Sequence, residues 1–109
     1  MKEYDLYLPV EPRNAPAAIP DQIVWLREQL RERFGSYQEL AGFHQGSWNT
    51  SAVDYHGPVQ LFTVCSEETQ ARSFFARLKK ALQDRGCHQV MILEKEAAGP
   101  KGEMVGERI

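Results

Sequence analysis

Hydrophobic and polar residues alternate along residues 4–10, the sequence YDLYLPV, so that both leucines and the valine share one side of an extended chain. Asp5 and Tyr7 fall on the other side. This period of two predicts a first β-strand. Three prolines within residues 11–20 then predict a loop, because proline donates no backbone hydrogen bond and keeps the preceding residue out of the helical region.

Two segments carry apolar residues at the helical spacing of three or four positions. The first covers residues 20–34 and predicts a helix that Gly35 ends in a left-handed conformation. The second covers residues 71–82 and ends before Gly86, and Ser66 provides a capping side chain ahead of it. We therefore expect two amphipathic helices, each with one buried face.

Three further segments have the character of strands. Residues 39–50 predict a strand that is interrupted at Gly42 and Gly46, where a bulge or a close backbone approach is expected. The tripeptide HGP that follows is a turn signal. Residues 59–65 and 87–96 are apolar on both alternating faces, and each predicts a strand.

The order strand, helix, strand, strand, helix, strand predicts an α+β fold of the ferredoxin-like βαββαβ type. Right-handed crossovers then place both helices on one face of a four-stranded antiparallel sheet with strand order 4-1-3-2. We expect residues 1–96 to form this single domain. Residues 97–109 contain three glycines and a proline among charges, which predicts a flexible C-terminal tail.

Two helices cover one face of such a sheet and leave the other without a cover. We expect the helices to bury Leu6, Leu8, Val59, Leu61, Val90 and Ile92 or their register partners. The alternate positions are apolar as well, and covering five side chains at about 40 Å² each gains on the order of 5 kcal/mol. This predicts a homodimer through sheet faces or strand edges, or a small apolar ligand, unless the tail or loops fold over the face. The five positions are Tyr7, Phe62, Val64, Met91 and Leu93.

Composition narrows the classes of partner. The chain has 13 Lys and Arg against 15 Asp and Glu and a formal net charge of -2, so we expect neither a nucleic-acid nor an anionic-membrane partner. The first residues contain no apolar leader and no segment reaches the roughly 18 apolar residues of a membrane span, which predicts a cytoplasmic protein. Cys65 and Cys87 are expected to be reduced thiols at opposite rims of the sheet.

The predicted topology brings polar residues to one rim of the sheet. Two imidazoles, His56 and His88, could meet Asp54 and Tyr55 there, and these side chains are suited to general acid-base chemistry. The alternative is that they are solvated loop residues, because loops generally collect polar side chains. The remaining residues of this rim are Pro9, Glu11, Trp48 and Asn49.

Two residues of the second strand are ambiguous. His44 is either a partly exposed edge histidine or a ligand-binding residue, and Trp48 is either an interface anchor, a core residue or a stacking platform for a ligand. The chain contains no HxH, HxxxH or HxxE spacing, so we expect no metal site. No glycine-rich phosphate loop opens either helix, and no cofactor is expected.

The segments LREQLRERFGSYQELAGFHQGSW and HQVMILEKE resemble a poorly characterised family of small bacterial proteins over about residues 4–96. The shared features are a helix that ends in F-G, a G-x-W segment and a final strand with Q before apolar residues. The resemblance implies a ferredoxin-like domain and carries over no catalytic residue. The architecture is also similar to that of dimeric α+β barrel proteins, some of which are cofactor-independent oxygenases or heme-handling enzymes, which implies an enzyme that uses His44, Trp48 or His56.

Two functional hypotheses follow. The first is a non-catalytic homodimeric binding or regulatory domain that acts through its open sheet face. The second is a small cofactor-independent enzyme that uses the rim histidines for acid-base chemistry. The ligand or interface residues of the first hypothesis are Tyr7, His44, Trp48, Phe62 and Met91.

Overall fold

A computed structural model describes residues 1–10, 19–40, 44–49, 54–87, 89–97 and 106–109, with only the backbone described for residues 19, 20, 49 and 54–56. Within these ranges the chain forms two helices and six strands. In chain order they are β1 (Lys2–Pro9), α1 (Ile19–Phe34), β2 (Gln38–Glu39), β3 (His44–Asn49), β4 (Asp54–Ser66), α2 (Ala71–Asp84), β5 (Met91–Glu96) and β6 (Glu107–Arg108).

The six described strands form one antiparallel sheet in the order β2-β4-β1-β5-β6, and β3 pairs with β4 as well. β1 lies between β4 and β5, and its residue Leu6 lies opposite Phe62 on one side and Ile92 on the other. Both helices pack on the same face of this sheet. The fold is therefore α+β, with two helices on one face of an antiparallel sheet.

The core between helices and sheet forms because both helices present an apolar stripe at helical spacing. Leu26 and Leu30 of α1 and Phe75 and Leu82 of α2 are completely buried. The stacked rings of Tyr4 and Phe75, with centroids 4.4 Å apart, join the sheet to α2. Both helices end where the sequence predicts, at Gly35 and Gly86, which have φ angles of +78° and +104°.

The opposite face of the sheet carries a second apolar cluster, and its composition corrects part of the sequence-based prediction. Phe62 and Val64, predicted on this face, lie in the core beneath the helices, whereas Val59 and Leu61 occupy the opposite face. The phase of β4 is thus shifted by one residue, which moves every side chain of a strand to the other face. The second cluster comprises Tyr7, Trp48, Val59, Leu61, Met91 and Leu93, with Leu40 packed against it.

β4 begins five residues earlier than the alternation of residues 59–65 predicts. His56, Gly57 and Pro58 were expected to form a turn, yet they continue the strand and pair with Ser47, Gly46 and Gln45 of β3. The pairing with β1 begins only at Val59, and just beyond the end of β1 the Val10 amide donates to the Pro58 carbonyl at 3.2 Å. Pro58 lies where the regular pairing of β4 with β1 has ended, and proline is tolerated in a strand where no ladder partner requires its N–H.

The starting point of α2 also differs from the prediction. Ser66 is the last residue of β4, and its hydroxyl accepts a hydrogen bond from the Glu68 amide at 3.1 Å in the turn that follows. The helix begins at Ala71 after Gln70, which makes no capping hydrogen bond through its side chain. Ser66 therefore stabilises the turn before the helix and does not cap the helix itself.

The last residues of the chain, predicted to be part of a flexible tail, form the short strand β6. The Ile109 amide donates to the Ile92 carbonyl at 3.0 Å, and Lys79 of α2 donates to the Ile109 carbonyl at 2.7 Å. Arg72 of α2 bridges Glu94 and Glu107 at 2.9 Å each. These contacts hold residues 106–109 to β5 and α2, and residues 98–105 lie outside the described residues.

Candidate functional site

A half-open cavity of about 300 Å³ lies on the sheet face opposite the helices. β1 contributes Glu3, Asp5 and Tyr7 to its floor, β4 contributes Leu61 and Thr63, and β5 contributes Lys95. Ligand pockets are commonly about 300–1,000 Å³, apolar for the most part, with a few converging polar groups. The cavity matches that description at the small end of the range.

Three buried charges meet on the floor of this cavity. The Lys95 ammonium lies 2.9 Å from Asp5 Oδ2 and 3.2 Å from Glu3 Oε2. Their side chains are only 6%, 5% and 3% exposed, respectively. The sheet register produces the arrangement, because Glu3 lies directly opposite Lys95 and Asp5 follows two residues later on the same face. The Thr63 hydroxyl donates to Asp5 Oδ1 at 3.0 Å, so both oxygens of Asp5 accept hydrogen bonds.

Burial changes the ionisation of these groups. It is the largest effect on Asp5 and raises the pKa of that carboxyl, against the opposing hydrogen bonds from Lys95 and Thr63. Burial lowers the pKa of Lys95, but hydrogen bonds to Asp5 and Glu3 outweigh it and leave the pKa above its ordinary value. A buried ion triad is weak evidence for stability, since desolvation offsets much of the attraction. Perturbed titrating groups in a cleft are instead a mark of functional sites.

Tyr7 gives the cavity a phenol. Its side chain is only 6% exposed, and its ring lies 6.2 Å from that of Trp48. No described residue forms a hydrogen bond with the Tyr7 hydroxyl. Because every fully buried side-chain polar atom among the described residues has a hydrogen-bond partner, the Tyr7 hydroxyl is not fully buried, and it opens into the cavity. Burial raises the pKa of Tyr7, as do the charges of Asp5 and Glu3, while Lys95 lowers it.

The wall of the cavity comes from β2 and the residue after it, Gln38, Glu39 and Leu40. Glu39 is held by a bidentate pair with Arg27 of α1, with N–O distances of 2.9 and 2.6 Å, and it also accepts from Gln60. The charge of Glu39 is therefore matched by a cation at the site. Leu40 is partly exposed and lies at the rim.

Of the ligand or interface residues predicted from the sequence, three lie on this face. Tyr7 lines the cavity, and Trp48 and Met91 are buried in the apolar cluster beside it. The Trp48 ring lies over Gly46, where an added Cβ would come within 2.8 Å of the indole. The other two residues lie elsewhere, because the His44 side chain is exposed on β3 and Phe62 is buried beneath the helices.

The rim of acid-base candidates lies mostly outside the described side chains. The backbone of Asp54, Tyr55 and His56 forms the start of β4, but their side chains are not described, and His88 is outside the described residues. The meeting of these four side chains at one rim therefore stays a prediction. Pro9 is buried at the end of β1, and Glu11 also lies outside the described residues.

The cysteines are both free thiols. Cys65 is exposed at the end of β4 beside Glu3, whereas burial raises the pKa of the Cys87 thiol to about 11. Among the described residues, no group of three or more His, Cys, Asp or Glu side chains is arranged to hold a metal ion. Neither of the two described helices combines the length and the apolar character that crossing a bilayer requires.

Sequence reasoning missed the ion triad at the cavity. The alternation of residues 4–10 places Asp5 on the side of the first strand opposite the leucines, and Glu3 and Lys95 have no predicted role. A usable signal was present, because Glu3, Asp5 and Tyr7 alternate with Tyr4 and Leu6 in a strand predicted to be central. Charges on an interior strand must find partners, and Lys95 of the neighbouring strand is such a partner.

Comparisons with known proteins bear on the fold. Neither protein-family models nor curated proteins gave a match to the chain. Among solved structures, the chain is similar to a phage SAM lyase in complex with S-methyl-5'-thioadenosine, with a TM-score of 0.55 and 14% sequence identity over 87% of this chain and 80% of that chain. At this identity the likeness shows the fold alone.

Proposed function

We propose that the protein is a small-molecule-binding domain and that its binding site is the cavity on the sheet face opposite the helices. One observation carries the proposal: a half-open space of about 300 Å³ whose floor holds the Asp5–Lys95–Glu3 triad and the hydroxyl of Tyr7, which has no hydrogen-bond partner among the described residues. Polar groups that converge on a cavity beside apolar side chains fix the orientation of a ligand.

The architecture in this proposal is a ferredoxin-like unit with an added edge strand. If β2 and β3 are taken as one interrupted strand beside β4, the order β2/β3-β4-β1-β5 corresponds to the expected order 4-1-3-2 read from the other end. β6 is then an addition at the β5 edge. This arrangement supports the proposal because it leaves one sheet face free of helices, and the cavity lies there.

Dimerisation through the sheet face stays a prediction, and its basis is weaker than the sequence suggested. The five side chains thought to need a cover are all buried within the single chain, and Phe62 and Val64 belong to the core beneath the helices. Less apolar surface is therefore left to be buried in a dimer than the sequence-based prediction assumed, and the hydrophobic contribution to association is smaller. Light scattering coupled to gel filtration measures the oligomeric state directly.

Binding can be tested with the two small molecules named for the structural neighbour, SAM and S-methyl-5'-thioadenosine, together with native mass spectrometry of the purified protein. We expect the wild-type protein to bind a molecule that mass spectrometry detects or a probe that calorimetry detects. Leu40→Trp should abolish this binding, because an indole at the partly exposed rim position fills the mouth of the cavity. Val24→Trp is the matched control, since Val24 is 51% exposed on α1.

A ligand retained equally by Leu40→Trp and Val24→Trp would place binding away from the cavity and contradict the proposal. The same holds if neither mass spectrometry nor a broader thermal-shift screen finds any ligand. Circular dichroism of both variants checks that each remains folded.

A second candidate function is enzymatic, and a specific observation favours it. Burial raises the pKa of Asp5 beside the Tyr7 phenol, and a carboxyl with a raised pKa in a cavity is a suitable general acid or base. The structural neighbour is described as a SAM lyase. To test this candidate, mass spectrometry measures the release of S-methyl-5'-thioadenosine from SAM by the wild type and by Asp5→Asn. Equal release by both proteins would exclude Asp5 as the acid-base group.

A further inference from the structure

The charged side chains on the floor of the cavity are already engaged with partners inside the protein. The carboxylate of Asp5 accepts a hydrogen bond at each oxygen, from Lys95 at 2.9 Å and from Thr63 at 3.0 Å. Glu3 contacts Lys95 through one oxygen at 3.2 Å and accepts from the Cys65 thiol at the other, 4.0 Å away. A charged ligand would therefore meet counter-ions that are bound to other groups.

The charged residue of the cavity wall is engaged in the same way. Glu39 accepts from Arg27 at both oxygens, at 2.9 and 2.6 Å, and from Gln60 as well. None of the described charged side chains that line the cavity is thus without a partner. Moving a charged ligand out of water costs free energy that a counter-ion has to offset, so this lining favours a ligand without a charge.

Two neutral side chains of the lining differ from the charged ones. Tyr7 is more than nine-tenths buried, and no described residue forms a hydrogen bond with its hydroxyl. Burial raises the pKa of Tyr7, so the phenol keeps its proton at neutral pH and can donate it in a hydrogen bond. The carboxamide of Gln38, which is exposed in the wall, also has no hydrogen-bond partner among the described residues. A buried tyrosine hydroxyl usually has such a partner, and a ligand can provide it.

The sheet register places these two neutral groups on either side of β4. Gln38 of β2 lies opposite Thr63, and Tyr7 of β1 lies opposite Leu61 on the same face. A ligand that contacts both groups therefore lies across β4, where Leu61 offers apolar surface. Leu40 extends this surface, because its amide donates to the Leu61 carbonyl at 3.0 Å and it lines the same cavity.

We propose that the cavity binds a small neutral molecule that joins an amide-type carbonyl to an apolar ring. The carbonyl oxygen accepts from the Tyr7 hydroxyl, the amide faces the carboxamide of Gln38, and the ring lies on Leu61 and Leu40. This inference rests on the proposed binding function and specifies its ligand class. The volume of about 300 Å³ accommodates a molecule of this kind.

The test uses three probes of nearly the same shape, benzamide, benzoate and benzamidinium, which at pH 7 are neutral, anionic and cationic. Titrations with ¹⁵N-labelled protein follow the backbone amide shifts of Asp5, Tyr7 and Thr63. We expect benzamide to bind at these residues at least about tenfold more tightly than either charged probe, because only the charged probes lose the hydration of an ion.

Two variants test the hydrogen bonds. Tyr7→Phe keeps the ring and removes the hydroxyl, and it should weaken benzamide binding about three- to tenfold, the loss of one hydrogen bond. Tyr37→Phe is the matched control, since Tyr37 packs against Phe62 beneath the helices, away from the cavity. Gln38→Met should weaken benzamide binding less than Tyr7→Phe does, because position 38 is exposed to water, and Gln70→Met at another exposed position should leave binding unchanged.

Equal binding of the three probes at the cavity, or a preference for a charged one, would overturn the inference and leave the binding function standing. Benzamide affinity that is the same in Tyr7→Phe as in Tyr37→Phe would also overturn it. If benzamide does not shift the cavity amides, the inference fails, and the Leu40→Trp experiment decides separately whether the proposed binding function fails with it.

Discussion

The ammonium of Lys95 lies 2.9 Å from Asp5 Oδ2 in a part of the sheet where both side chains are buried. Glu3 completes the triad from the position directly opposite Lys95. The ammonium of Lys95 therefore contacts two buried carboxylates at once. Its removal is therefore the most informative substitution for stability.

We expect Lys95→Met to destabilise the fold by about 3–5 kcal/mol, because it removes the ammonium that contacts both buried carboxylates. Urea unfolding at pH 7 measures the change. Lys2→Met is the control, since Lys2 pairs with Glu96 in an exposed position, where solvent screens the pair, and its loss should cost far less than that of Lys95. Comparable costs for the two variants would mean that the triad is hydrated and contributes little.

A second prediction concerns Gly106, which precedes β6. Its φ is +126°, and an added Cβ would lie 2.5 Å from the Glu94 carbonyl oxygen. We expect Gly106→Ala to detach β6 from β5 and to remove the hydrogen-exchange protection of the Ile109 amide, which donates to Ile92.

Gly35→Ala is the matched control for this substitution. Gly35 has a φ of +78° with no atom within 4 Å of the added Cβ, so its cost should be limited to the conformational one of about 1–2 kcal/mol. Protection of Ile109 should be unchanged in this control. Retained protection in Gly106→Ala would contradict the close approach of the two strands.

The two thiols should differ sharply in reactivity. Cys65 is exposed, whereas Cys87 is partly buried and burial raises its pKa to about 11. We expect iodoacetamide at pH 8 to alkylate Cys65 in the folded protein and to reach Cys87 only after denaturation, because the thiolate is the reactive form. Peptide mass spectrometry identifies the modified residue, and rapid labelling of Cys87 in the folded state would contradict the prediction.

Tyr4 predicts a dependence of stability on pH. Its hydroxyl donates to Glu94 at 2.8 Å, and burial together with this bond raises the pKa of Tyr4 to about 12. The unfolded chain loses this proton near pH 10 and the folded chain near pH 12, so stability falls across that window as the pH rises.

Tyr4→Phe should remove this part of the alkaline decline and cost about 1.5–3 kcal/mol at pH 7, the contribution of a hydrogen bond to a charged group. Tyr37→Phe is the control, since Tyr37 is partly exposed and has no described hydroxyl partner. Thermal unfolding from pH 7 to pH 11 measures both effects. An alkaline decline that is the same in Tyr4→Phe as in the wild type would contradict the assignment to Tyr4.

Local signals predict the elements of this fold better than they predict its faces. Helical spacing and a left-handed glycine define α1 up to Gly35, and alternation defines β1. The phase of β4 was not predictable in the same way, because Leu61 and Phe62 are both apolar and either can face the helices. Only the cross-strand pairing of Leu6 with Phe62 decides between them.

The candidate site shows the same limit. Tyr7 could be predicted from its strand, but the cavity depends on Lys95, which lies 90 residues beyond Asp5 in the chain and meets it only through the register of β1 and β5. Cross-strand contacts of this kind carry no local sequence signal. Histidines are predicted as site residues because of their acid-base chemistry. The charged residues that converge at the cavity, Glu3, Asp5 and Lys95, lie in two strands and belong to no recognisable motif.

The central place of β1 also determines the order of events during synthesis. This strand is translated before its partners, which lie in β4 and β5, and β5 ends at Glu96. The sheet therefore cannot close until the ribosome has released that residue, and until then the nascent chain carries an apolar strand without its full set of neighbours. The unpaired edge of such a strand is prone to pair with other chains.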